Sequence, residues 1–198
     1  EDFEKMALLR PSDDEYLKTN VFTLAKNRIV WLLILMVSAT FTGQIIEGFE
    51  AKLATIAGLT ACIPMLMDTG GNSGNQVSTL IIRGLALGEI RIKDYFKVLW
   101  KEIRVSVMVG ATLAVANALR MIILRLATGG DTSNDVILVV CLSIVAAVMV
   151  AKIIGCTLPI IAKLLKLDPA LMAGPMITTV VDAVSLLIYF SFANALIP

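Results

Sequence analysis

The run IVWLLILMVSATFTGQII, from Ile29 to Ile46, contains no charged residue. A stretch of that length is close to the roughly 20 apolar residues that a helix needs to cross the ~30 Å hydrocarbon core of a bilayer. Four further runs follow: Leu53 to about Ile82, Val98 or Val105 to Leu126, Val136 to Leu158, and about Pro169 to Ile197. Hydrophobic residues make up 58% of the chain and charged ones 17%, against an apolar share of about 45 to 50% in ordinary soluble domains. The expected fold is an all-α integral membrane protein with five transmembrane helices.

Charge placement orients the helices. Thirteen of the 17 Lys and Arg residues precede the first run or fall in the 83 to 104 and 163 to 166 connections, while Lys52, Arg120 and Arg125 fall on the opposite side. Positive charge accumulates on the cytoplasmic side of membrane proteins, so the N-terminus is expected in the cytoplasm and the C-terminus outside. Lys152, late in the fourth run, is expected to snorkel inwards, and Arg120 and Arg125 to snorkel outwards or pair with an acid. Residues 1 to 28 form a polar connecting segment and residues 29 to 198 the membrane domain. The net charge of +1, without a basic face, gives no reason to expect a nucleic-acid partner.

The functional signal lies within the second run, in PMLMDTGGNSGNQ from Pro64 to Gln76. A carboxylate at the depth of Asp68 costs roughly 2.5 to 3.5 kcal/mol on insertion scales, and such groups face bundle interiors, cavities or ion paths. Asp68, Asn72, Asn75 or Gln76, and Thr79 recur at helical steps and form one polar stripe. Pro64, Gly70, Gly71 and Gly74 suggest a broken or unwound segment of the kind that marks ion sites, or else close helix packing. Gly174, Pro175, Thr178, Asp182 and Ser185 form a second stripe in the last run. The chain has no histidine, which removes imidazole metal sites and proton relays. Carboxylate, carboxamide and carbonyl oxygens suit a hard cation such as Mg²⁺, which keeps much of its water. Cys62, Cys141 and Cys156 lack CxxC spacing and are read as buried free thiols.

These motifs, with LIIRGLALGEI after the first and DPALMAGPMITTVVDAVSLLIYF in the last run, resemble the membrane domain of MgtE-type magnesium channels over nearly all of residues 20 to 198. The resemblance implies a homodimer in the cell (plasma or inner) membrane, with a Mg²⁺ pore lined by the second and fifth helices at the dimer axis. It further implies that Asp182 is the pore magnesium-binding aspartate, near the turn at Ala173 and Gly174. Gly71, Asn72, Gly74 and Asn75 match the family's glycine-asparagine pore motif, Asp168 its inner-mouth aspartate and Glu50 its outer-mouth segment. In the full-length chain the family carries cytosolic regulatory domains, so residues 1 to 28 read as the end of a plug-like connecting helix and the chain as an isolated pore domain.

Two other classes fit an aspartate pair in a membrane. An intramembrane aspartyl protease would share a proton between two such carboxylates, but neither MLMD nor TVVD supplies the glycine-aspartate setting. A proton- or sodium-coupled secondary transporter of a small solute would use Asp182 as its coupling site, and the lack of a visible inverted repeat argues against it.

Overall fold

A computed structural model describes residue 6 and residues 17–56, 58–129, 133–172 and 174–197. The elements are α1 (Val21–Gly48), α2 (Glu50–Thr55), α3 (Leu59–Ala86), α4 (Tyr95–Thr128), α5 (Asn134–Leu164) and α6 (Pro175–Leu196), with 3-10 turns at Ile92–Asp94 and Pro169–Met172. The described residues are thus all-helical. Four segments are long and apolar enough to cross a membrane: α1, α4 with its preceding turn, α5 and α6. At 1.5 Å per residue α3 is about 42 Å long and matches them in length; its polar stripe is what lowers its hydropathy.

Local chemistry explains the helix ends. The Asn20 side chain caps α1 by accepting from the Phe22 N–H at 3.0 Å, and Ser133 caps α5 by accepting from Val136 N–H at 3.2 Å. The second long helix begins at Leu59 rather than Leu53, because Gly58 takes the left-handed φ of 91° and separates α3 from the short α2. Beyond it, the expected break at Pro64 and the glycines is absent: α3 is continuous from Leu59 to Ala86. Pro64 stands in its second turn, where the ring costs a single backbone hydrogen bond. Pro159 likewise lies inside α5, which continues to Leu164 instead of ending near Leu158.

The glycines are packing positions. A Cβ on Gly155 would collide with the Gly74 carbonyl, so α3 and α5 meet backbone to backbone, and a Cβ on Gly74 would lie 2.8 Å from Ile177 Cγ2 of α6. Gly110 does the same for α4, where a Cβ would come within 3.2 Å of Val145 Cα on α5. Small residues allow such approach where lipid offers no hydrophobic drive between helices. Helix α5 is consequently central, touching α3, α4 and α6.

The two largest apolar clusters among the described residues hold most of the bundle's core. Leu59, Leu66, Val140, Ile144, Leu186 and Tyr189 belong to one, where the buried Tyr189 hydroxyl donates to the Leu59 carbonyl at 3.0 Å. Val77, Ile81, Leu85, Cys156 and Ile160 form the other. Cys62 and Cys156 are buried free thiols as expected, while Cys141 is only half-buried. Lys152 does not snorkel: it is 5% exposed and pairs with Glu102 of α4 at 3.6 Å. Arg120 donates to Asn117 Oδ1 at 3.1 and 2.8 Å, and Arg125 to Asn134 Oδ1 at 2.8 Å, so both arginines have carboxamide partners.

Candidate ion site on the α3 and α6 face

The 3.6-residue period of an uninterrupted α3 puts its apolar and glycine positions inwards and leaves Asp68, Asn72, Gln76 and Thr79 exposed, with Asn75 half-buried beside them. One turn links the first two residues: Asn72 Nδ2 donates to Asp68 Oδ1 at 2.9 Å. This fixes the carboxamide so that its own oxygen remains available as an acceptor.

Helix α6 brings the second carboxylate. Gly71 of α3 is the contact point, for a Cβ there would lie 3.0 Å from Thr178 Cγ2 and 3.5 Å from Asp182 Oδ1. Asp182 and Thr178 are half-buried, and Asp68 lies within electrostatic reach of Asp182. The Thr178 and Thr179 hydroxyls donate to the Pro175 carbonyl at 2.9 and 2.8 Å, which aims their lone pairs away from the helix backbone. One turn further along, Ser185 opposes Gly70, whose Cβ would come within 2.7 Å of the Ser185 hydroxyl. The glycines therefore set α3 close enough to α6 for the two stripes to merge into one polar face.

Not every expected residue joins this face. Asp168 lies in the connection before α6, just ahead of the Pro169–Met172 turn, where its Oδ1 accepts from Ala170 N–H at 3.0 Å. It lines a cavity of about 190 Å³ with Ile82, Leu85 and Lys163, and Lys163 itself donates to the Leu85 carbonyl at 3.0 Å. Glu50 is exposed at the start of α2, beyond the Gly58 break. Gly74 faces Ile177 and Val181 of α6 and Ala151 of α5 rather than Asp182. Ala173 lies outside the described residues. Among the described residues, no three Asp, Glu or Cys side chains converge as a metal-holding group.

Beside Asn75, already singled out in the sequence, α3 carries two polar groups that were not, the Ser73 and Ser78 hydroxyls. Ser73 Oγ, Asn75 Oδ1 and Ser78 Oγ are buried without a hydrogen-bond partner. Burying such a group unpaired costs about 1 to 3 kcal/mol, and their presence in NSGNQVST was the available signal. The buried Lys152–Glu102 pair was also unforeseen.

A comparison with protein families matches residues 63–192 to MgtE, described as a divalent cation transporter. The chain belongs to the MgtE family. The matched stretch takes in Asp68, Asn72, Asp168 and Asp182, but not Glu50. The chain is 34% identical over 197 residues to the magnesium transporter MgtE of Thermus thermophilus, covering 100% of this chain and 42% of that protein. The corresponding Bacillus subtilis protein is 34% identical over 198 residues, again 100% and 42%. That of Enterococcus faecalis is 28% identical over 184 residues, 92% of this chain and 39% of the relative. The chain thus spans about two-fifths of the length of the curated relatives it matches. MgtE membership makes this a membrane protein of a transporter family, and the protease reading of the aspartates falls away.

Proposed function

We propose that this chain is the ion-conducting part of a magnesium transporter and that Mg²⁺ passes along the α3 and α6 face, with Asp182 binding the ion. The observation that carries the reading is the approach of Asp182 to Gly71, next in sequence to the Asn72 that holds Asp68, on a partly exposed polar face of an otherwise apolar bundle. The relatives' printed names support magnesium as the cargo. Helices α1, α3, α4, α5 and α6 are the five spans, with the N-terminus cytoplasmic and the C-terminus outside. Two copies face each other across a two-fold axis, so that polar faces cover one another and enclose the path.

Mg²⁺ demands near-octahedral oxygen geometry at about 2.0 to 2.1 Å and gives up water reluctantly. Two carboxylates and a few carboxamides per chain suit an ion that retains its hydration shell, with Asp182 supplying charge and Asn72 and Asn75 holding waters. Asp168 and Glu50 take the inner and outer mouths, Gly74 holds the path's wall and Thr178 offers a hydroxyl oxygen. Residues 1 to 28 connect to cytosolic regulatory domains in a full-length protein.

Mg²⁺ uptake into proteoliposomes, followed with a magnesium-responsive dye, tests the reading. Asp182→Asn keeps the side chain's shape and removes its charge, and is expected to slow uptake at least about tenfold, equivalent to ~1.4 kcal/mol. Wild-type uptake by a folded Asp182→Asn variant would move the ion away from this carboxylate.

A further inference from the structure

At the end of the bundle opposite Tyr189, the first turns of α4 and the last turns of α5 leave a groove of about 380 Å³, lined by Ile92, Phe96, Ile160, Ile161 and Leu164 with Lys93 among them. Its hydroxyls are already engaged. Thr157 donates to the Ile153 carbonyl at 2.6 Å and stands 3.1 Å from the Tyr95 hydroxyl. What the groove offers is therefore an apolar wall and a cation.

The cation has company. Lys93, Lys97 and Lys101 follow one another at steps of four, Arg104 comes three residues later, and all are exposed. The acids nearby offset them only in part: Glu89 and Asp94, which accepts from the Arg91 N–H at 3.2 Å, stand at one end against Arg91 and the four cations of the stripe, and Glu102 is turned inwards to Lys152 at 3.6 Å. Phe96 and Trp100, 78% and 61% exposed, alternate with the lysines. Aromatic and basic side chains interleaved at a helix end mark the headgroup level of a membrane, and basic clusters there attract anionic lipid.

We propose that this groove binds one anionic phospholipid, an acyl chain lying against Phe96, Ile160 and Ile161 and the headgroup phosphate held by Lys93 and Lys97. The site is independent of the ion path on α3 and α6. The chain has two tryptophans, so Trp31→Phe leaves Trp100, one helical turn from Phe96, as the only indole reporter. The Trp31→Phe protein is reconstituted in vesicles of brominated phosphatidylcholine, whose bromines quench a neighbouring indole, with rising fractions of unbrominated phosphatidylglycerol.

The expected result is relief of quenching at phosphatidylglycerol fractions well below those needed for unbrominated phosphatidylcholine. Each lysine removed should weaken the preference about five-fold, so Lys93→Gln with Lys97→Gln lowers it about 25-fold, whereas Lys26→Gln, an exposed lysine on α1, leaves it unchanged. Equal relief by both lipids overturns the proposal, as does a preference that survives in the double variant. An indole that brominated phosphatidylcholine alone does not quench would also overturn it, because the groove would then be covered by protein.

Discussion

Lys152 and Glu102 meet at 3.6 Å where α5 crosses α4, with side chains 6% and 14% exposed. A buried pair of this kind is fragile to the loss of one partner, since the remaining charge has no water to turn to. Lys152→Met is expected to cost about 3 to 5 kcal/mol, read as a drop in the thermal unfolding midpoint in detergent, and a second change, Glu102→Leu, to restore most of it. A single variant as stable as the parent would mean that Glu102 finds solvent or takes up a proton. The pair also marks how far residues are legible in isolation. Asp68 and Asp182 stand out because a carboxylate within an apolar run is costly wherever the chain goes. The pairing of Lys152 did not, since its partner lies 50 positions away in the sequence and only the packing of two helices joins them. The unpartnered Ser73 and Ser78 hydroxyls were hidden for the same reason: a hydroxyl in a membrane helix is ordinary until its neighbours are known.

Among the elements, α3 carries the argument because it remains a helix. Its glycines hold it to α5 and α6, and Asp68, Asn72 and Gln76 are thereby left exposed. Gly155→Ala should separate α5 from α3 at the Gly74 carbonyl, with a cost of about 1 to 3 kcal/mol from overpacking and impaired Mg²⁺ uptake. Gly43→Ala is the contrasting change on α1, where a Cβ meets nothing within 4 Å, and it should leave unfolding and uptake unaltered. Equal effects of the two substitutions would remove the close approach as the reason for the glycines. Hydrophobic runs located every long helix, but their ends and continuity were harder to read. Proline and clustered glycine signal a break when only local backbone preference is considered. Tertiary packing of the same glycines against Ile177, Thr178 and Ala151 overrode that preference, and the chain's departure from helix in this run comes earlier, at Gly58.

At the scale of the molecule, the exposed surfaces fall into two kinds. Helix α1 has Thr42 as its buried residue, and α4 buries Ser106, Gly110, Asn117 and Met121; their remaining apolar faces suit lipid. The α3 and α6 face, with Asp68, Asn72, Gln76 and Asp182, does not. Placing it against a second copy removes it from the hydrocarbon and gives a hydrated cation a route between charged walls. Labelling of Gln76→Cys by a cationic methanethiosulfonate, in a background where Cys62, Cys141 and Cys156 are replaced by alanine, tests this claim most directly. Val115→Cys, on the exposed side of α4, serves as its counterpart. The reagent is expected to reach Cys at position 76 from water, Mg²⁺ to slow the reaction, and the label to block Mg²⁺ uptake, while position 115 shows none of these effects. A position 76 that stays unlabelled in a conducting protein, or one that labels without any effect on uptake, would contradict an ion path along α3 and α6.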